Sequence, residues 1–492
     1  METAAAIKES VDVRLSKTEL LEIIAAQQQT IADLQKRIEQ LEGKNPTERL
    51  DEAFSERAEE KRRKKKAGRR SRPLNSGRVS TAEKIALAQR TEQVYPADTD
   101  PDSCQLSHTR VAWRLEAGKA VLVAYEIYRF GKRYGKPAGL VGRGEYGLEI
   151  LVSLAYQVYY IGVSLDKACE LMQFFQGLKL SKSQADSLLN QLARNWEAEF
   201  DTLCTLLANS AVVHCDETSW SINSVWAFLT DRLTVMFYGV HKDGSTLQQI
   251  LDKAVFDGVL ISDDASIYRG FNKSQKCWAH LLRKAIKLTL QAPDNLEYRH
   301  FSDALLDLYR RAKRSAADRR LRDAGREKRV TQLNADLVAL CAARYANDST
   351  EGDAVENDYR RLASEIMRLQ IAGELFVFVT TADVDGNNNA SERELRDSAK
   401  DRRTGRTNKT AKGAKRQSIL TSVLRTLLKQ TLGITLWRLI DHVNGWLTRG
   451  RSCFADQAAK LGLNRPRPPS KDGTLLDQLV LKVDVVAAAN PS

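Results

Sequence analysis

The 492-residue sequence has no run of about 18 apolar residues, so no membrane-spanning helix is expected. The segment from Met1 to Asp12 carries acids and lacks an apolar core, so a secretory leader is not expected and the chain reads as cytoplasmic. Paired cysteines are missing too. Cys104, Cys169, Cys204, Cys215, Cys277, Cys341 and Cys453 are odd in number and scattered, which excludes a disulfide framework. None has the Cys-x-x-Cys spacing of a zinc site. Acids fall short of bases, 63 against 76, leaving a net charge of +13. That excess fits a polyanionic partner, though solubility alone also accounts for it. With 42% apolar and 28% charged residues the chain falls in the soluble globular class. At roughly 100–200 residues per domain its length suggests two to four domains.

Near the start, Ile24, Ile31 and Ile38 recur every seven residues, as do Leu20, Gln27, Leu34 and Leu41. The pattern fits a two-stranded coiled coil, and equally one helix packed on the rest of the chain. A capping box, Ser16 with Glu19, opens it. A basic arm follows, with Lys64, Lys65, Arg69 and Arg70 as candidate phosphate contacts. Like charge at that density does not pack, so a solubilising linker is the other reading. Residues 111–130 alternate as a strand pair. Residues 145–196 read as three helices, with a glycine turn at Gly177 before Ser181. Those last helices fit a helix-turn-helix DNA reader or an ordinary α-hairpin.

From Ala211 the pattern turns to strands. One apolar strand stops at Asp216, a hairpin spans 224–238, a helix runs from Ser245 to Ala254, and a second strand stops at Asp263. Residues 275–279 suggest one more strand, residues 295–371 are helical without strand signals, and a helix opening near Asn389 holds Glu392. Two helices follow, 419–432 and 436–447, and the end from about Pro466 reads as poorly ordered.

Strand-end aspartates followed by a helical glutamate are the order of a ribonuclease-H-like fold. Such acids also start turns and cap helices. Two apolar strands that each stop at Asp, with a later helical Glu, favour catalysis. Hard oxygen ligands of this kind suit two Mg²⁺ or Mn²⁺ ions about 3.5–4 Å apart, with Asp216 as the bridging ligand. Ten Lys/Arg against three acids lie between Arg393 and Arg416, which suits a DNA track into the site. Arg393, Arg396, Arg402, Arg403 and Arg406 are its candidates. Trp220, Trp226 and Trp278 could stack on bases, but core packing is the simpler role. Cys277 and His280 could hold zinc, yet no second pair is evident, and the simplest reading is packing with His280 hydrogen-bonding near the site. His214 is read as structural.

Four blocks sharpen this. His214-Cys215-Asp216-Glu217-Thr218 resembles the H-x-D-E-T block of bacterial transposases of the insertion sequence 66 family. Asp263 with Tyr268, Cys277-Trp278-Ala279-His280 with Arg283, and Asn388-Asn389 with Glu392, Arg393, Leu395 and Arg396 resemble its next three, in order. The pair Cys277/His280 is also similar to a C-x-x-H signature of other transposases. The resemblance spans about residues 15–450. It implies Asp216, Asp263 and Glu392 as the catalytic, metal-binding triad, choosing Asp263 over Asp264 and Glu392 over Glu394. Cys277, His280 and Asn389 would support it. It implies cleavage at element ends, attack of the freed 3′-hydroxyl on target DNA, accessory proteins as partners, and a bacterial, nucleoid-associated enzyme. Paired DNA ends and the coiled coil suggest a homo-oligomer. The sequence departs from the family where paired zinc-binding cysteines follow the linker, since only Cys104 and His108 stand there, so grounds for zinc in that segment are weak. The second block reads Asp263-Asp264-Ala265 in place of D-G-Y.

The expected fold class is α/β, a ribonuclease-H-like core with an all-α insertion, preceded by a coiled coil and a helical DNA-binding region. The expected boundaries are a coiled coil over 1–45, a basic linker over 46–100 and a DNA-binding region over 101–205. The core follows over 206–294 and 373–450, split by a helical insertion over 295–372, with a tail over 451–492.

Overall fold

The computed structural model describes residues 27–29, 32, 81–142, 144–345, 354–431, 433, 435–449, 452–463 and 474–480. The chain divides into two compact units, Met1–Ser80 and Thr81–Ser492. In the first, residues 27–29 and 32 are helical and exposed. The rest of the expected coiled coil, and the arm carrying Lys64, Lys65, Arg69 and Arg70, lie outside the described residues.

The second unit opens with helix α1 (Thr81–Ala86) and a four-stranded sheet of β1 (Arg90–Val94), β2 (Gln105–Glu116), β3 (Lys119–Phe130) and β4 (Arg133–Tyr134). β3 lies between β1, which is parallel to it, and β2, which is antiparallel. Strand alternation sends Ala112, Val123, Tyr125 and Ile127 to one apolar cluster and Val111, Leu122 and Ala124 to another. Helix α2 (Leu148–Ala155) follows, anchored by buried Glu149 to Arg114 at 2.6 Å. A π-helical turn over Tyr156–Ile161 leads to α3 (Leu165–Gln176), which ends at Gly177 with φ 71°, a left-handed position that a glycine takes without strain. Then α4 (Lys182–Ala208) starts on a capping box, the Ser181 hydroxyl accepting from Gln184 N and the Gln184 side chain from Ser181 N. Leu188, Leu189, Leu192, Trp196 and Phe200 are buried along α4, which makes it a core helix for most of its length.

The central sheet is β5 (Val212–Ser219), β6 (Ser224–Leu229), β7 (Thr234–Val240), β8 (Val259–Ser262) and β9 (Ser274–Lys276), with α5 (Gly244–Ile250) between β7 and β8. Its order is β7-β6-β5-β8-β9. β6 runs antiparallel to both β5 and β7, whereas β8 runs parallel to β5 and β9 parallel to β8. Every residue of β6 and β7 is buried, so both faces of the sheet are covered and these strands read as unbroken apolar runs. The strand read at 275–279 stops at Lys276, because Cys277 is already the N-cap of α6 (Trp278–Gln291).

Helices α7 (Leu296–Ala317), α8 (Asp323–Tyr345) and α9 (Ala354–Ile371) build a second core with α6, centred on Trp278, Leu305, Leu337 and Ile366. A short α10 (Val377–Thr380) follows, then α11 (Asn389–Arg403), α12 (Ala411–Gln430), α13 (Leu436–Arg449) and α14 (Cys453–Lys460). Residues 474–480, the described part of the segment read as poorly ordered, differ from that reading. Residues 475–480 are helical, and Leu476, Leu479 and Val480 enter the main core at helical spacing, while Asp477 pairs with Lys415.

Helix α12 closes the open edge of β7 in an unusual way. Ser418, Ser422 and Thr426 stand four residues apart and accept from Tyr238 N, Met236 N and Thr234 N at 2.9, 2.8 and 3.1 Å. Ser422 and Thr426 also donate to the carbonyls of Met236 and Thr234. Four helical residues rise about 6.0 Å and two strand residues about 6.6–6.8 Å, so the two repeats stay in step over three contacts. The approach is close. Gly239 has φ +75°, and a Cβ there would meet Ala414 Cβ at 2.7 Å.

Candidate active site

Strand alternation divides the acids of β5. Val213 and Cys215 face the main core, so Val212, His214 and Asp216 share the opposite face. On β8, Leu260 faces the main core while Val259 and Ile261 face the second one. The parallel register pairs Val212 with Val259 and His214 with Ile261. Carried two residues further, it sets Asp263 beside Asp216, on strands about 4.8 Å apart. Helix α11 lies across this face, packing Leu395 against Val225, Ala227 and Met236, and its first turn carries Glu392.

The three acids form one electrostatic group. Burial pushes the Asp216 carboxyl up to about 7, and Glu217, Asp263 and Glu392 push it the same way, against the Glu217 N–H that Asp216 accepts at 2.9 Å. Their neighbours are committed elsewhere. Asp264 pairs with Arg368 of α9, and Glu394 with Arg425 of α12. Glu217, on the main-core face, accepts from the Tyr268 hydroxyl and pairs with Lys242 at 2.7 Å. The first two sequence blocks are thereby bolted together behind Asp216.

The carboxylate of Glu392 is turned toward α6. Arg283 Nη2 donates to its two oxygens at 3.3 and 3.0 Å, and His280 Nε2 stands 3.7 Å from Oε1. Among the described residues, the His, Cys, Asp and Glu donors that converge within metal-binding reach are Cys277, His280 and Glu392, whose ligand atoms lie within 4.8 Å of one another. Cys104 and His108 do not meet, since Cys104 Sγ bonds Asp100 O and His108 Nδ1 contacts Ser107 Oγ.

Asn388 is the joint of the site. Its side chain donates to Cys215 O at 2.8 Å and contacts His214 Nδ1 at 3.1 Å, while its N–H donates to Cys277 Sγ at 3.1 Å. It is buried, whereas Asn389, singled out in the sequence, is exposed and donates its N–H to Asn387. His214 lies on the Asp216 face and supports Asn388, and burial pulls its pKa down. Lys276 escaped sequence reasoning entirely. It is fully buried beside Asp263, its amine donating to Ser262 Oγ at 3.1 Å, and burial lowers its pKa. A lone lysine in a short strand offers no sequence signal. An open cavity of ≈ 530 Å³ in front of Asp263 is lined by Lys276, Arg269, Cys277, His280 and Lys284.

The expected basic track separates into two kinds of residue. Arg393, Arg396 and Arg403 are exposed on α11. Arg402 instead donates to Ser219 O at 2.7 Å, and Arg406 pairs with Asp401 at 2.7 Å. Trp220, Trp226 and Trp278 are all buried core residues. No helix among the described residues is long and apolar enough to cross a membrane.

Comparison with known families assigns the class. A model described as "Transposase IS66 family" matches residues 143–416, more than half of the chain and all of the site just described, which makes this a DNA-processing enzyme. The chain belongs to the IS66 family of transposases. No curated protein matched it.

Proposed function

We propose that the chain is a metal-dependent DNA transposase that cleaves at element ends and joins the freed 3′-hydroxyl to target DNA. Asp216, Asp263 and Glu392 are its catalytic carboxylates. The observation that carries this reading is the side-by-side placement of Asp216 and Asp263 on parallel strands, beneath the helix that bears Glu392. The strand order β7-β6-β5-β8-β9, with three antiparallel and then two parallel members, supports a ribonuclease-H-like core, into which helices α7–α9 are inserted.

The donor set fits hard divalent cations. Carboxylate oxygens suit Mg²⁺ or Mn²⁺, and an Asp216 carboxyl pushed up to about 7, first by burial and then by the neighbouring carboxylates, is a charge that cations would relieve. Two bound ions supply activation of the attacking oxygen and stabilisation of the leaving one. Asp216, which feels both Asp263 and Glu392, would hold the ions together with them. Arg393, Arg396 and Arg403 hold phosphates and set the path of the strand. Arg283 holds Glu392 and, being half exposed, can pass to a DNA phosphate as the strand arrives.

The test is incubation of full-length protein with the DNA flanking its own gene and Mg²⁺ or Mn²⁺, beside Asp216→Asn. Cleavage at defined ends with joined products, reduced at least about 10³-fold in the variant, is expected. Cleavage without joining turns the reading toward a nuclease. Binding without cleavage in either protein turns it toward a regulator.

A further inference from the structure

Cys277 and His280 stand three residues apart at the start of α6, as N-cap and third helical residue, so both project from one side of the first turn. Glu392 reaches the same point from the first turn of α11. The three ligand atoms lie within 4.8 Å of one another. The frame that brings them together is rigid, since Asn388 N donates to Cys277 Sγ at 3.1 Å and Trp278 N to Gly386 O at 3.0 Å. Buried Trp278 stacks on Tyr309 beneath.

The imidazole of His280 is a second, independent pointer. Its Nδ1 is buried and makes no hydrogen bond among the described residues. Its Nε2 is 3.7 Å from Glu392 Oε1, beyond hydrogen-bond reach. A buried ring nitrogen without a partner is destabilising, and a lone pair directed at a cation removes that penalty. The adjoining cavity, lined by both Cys277 and His280, gives an ion a route in.

We propose that Cys277, His280 and Glu392 form a binding site for one zinc-class cation, distinct from the ions that Asp216, Asp263 and Glu392 would hold but sharing Glu392 with them. Thiolate and imidazole donors select Zn²⁺ or Co²⁺ over Mg²⁺, and three protein ligands leave a fourth position open. Arg283 now faces Glu392, but its side chain is 55% exposed and can swing into solvent. A carboxylate has two oxygens, so Glu392 can serve this ion through one and the catalytic group through the other. The site would fix the helix that carries Glu392 against α6. Ligation does not depend on whether the protein cleaves DNA.

The experiment strips full-length protein with a chelator, titrates it with Co²⁺ and follows absorption. The expected result is a thiolate-to-cobalt charge-transfer band with tetrahedral d–d bands, saturating at one equivalent and displaced by Zn²⁺. Cys277→Ser should abolish the charge-transfer band, and His280→Ala should weaken Co²⁺ binding at least about tenfold while far-ultraviolet circular dichroism stays unchanged. Asp216→Asn should leave the band intact while abolishing cleavage, which keeps the two proposals separable. Absence of the band in wild-type protein overturns the site. Persistence of the band in Cys277→Ser, or unchanged affinity in a folded His280→Ala, overturns it too.

Discussion

Asp216 is held in a place that disfavours its charge. Its carboxyl is pushed from an ordinary 3.8 up to about 7, first by burial and then by Glu217, Asp263 and Glu392. For an acid raised in this way, the folded state keeps the proton that the unfolded chain has already lost. The associated stability is complete below about pH 4 and is lost as pH rises through 7. A difference of about 3 units corresponds to roughly 4 kcal/mol, so ionised Asp216 is a substantial load on the metal-free protein at pH 8. Asp216→Asn, similar in shape and neutral, should therefore stabilise the metal-free protein at pH 8 by on the order of 1–4 kcal/mol, with the gain shrinking toward pH 5. Urea midpoints at the two pH values read this directly. Mg²⁺ should stabilise the wild type and do little for the variant; equal midpoints for both proteins at pH 8 would remove the strain from the account. Asp216 and Asp263 stood out in the sequence because an apolar run leads into each, but β5 does not stop at Asp216 as its sequence suggests: the pairing with β6 carries it on to Ser219, with Asp216 opposite Ala227. The commitments of Asp264 to Arg368 and Glu394 to Arg425 were not legible, because those partners lie 104 and 31 residues away.

At the scale of elements, the site depends on how strands and helices are joined. Strands β5, β6, β7 and β8 could be read from apolar runs, since a sheet covered on both faces needs them. The closure of β7 by α12 could not. Ser418, Ser422 and Thr426 look like indifferent helix residues, and only the strand edge beside them gives their spacing meaning. The same holds for the helix at 475–480, whose four apolar residues are too few to stand out. Asn388 shows where reading stopped one residue short. The block Asn388-Asn389 marks a helix start, but only the fold tells the buried asparagine from the exposed one. Asn388→Ala would leave Cys215 O and His214 without their partner and loosen α11 from β5, costing about 2–4 kcal/mol. Cleavage should fall with it as Glu392 loses its placement. Asn389→Ala should change stability by no more than about 0.5 kcal/mol. Denaturation midpoints and cleavage rates of the two variants decide the matter, and similar losses in both would show that Asn388 is no joint.

Over the whole molecule, the net charge of +13 says only that an anionic partner is welcome; its layout says where. Arg393, Arg396, Lys400 and Arg403 are exposed on α11 and spaced by three, four and three residues, so they form one stripe along the helix that carries Glu392. Of the acids of that helix, Glu394 and Asp397 both meet Arg425 and Asp401 meets Arg406, although Asp397 stays exposed. Helix α11 thus presents cations outward and leads from solvent to the carboxylates. Each exposed arginine that meets a phosphate releases counterions on binding, which contributes about 0.9 to the slope of log affinity against log salt. Replacing Arg393, Arg396 and Arg403 together with alanine should lower that slope by about 2–3 and weaken binding of any duplex, whatever its sequence. Arg402 makes a sharp control, because it lies on the same helix but donates to Ser219 O and Thr218 Oγ1. Arg402→Ala should lower the melting temperature and leave the slope unchanged. Binding isotherms at four salt concentrations separate the two. If Arg402→Ala moved the slope as the triple variant does, or the triple variant left it where it was, the DNA track would have to lie on another face.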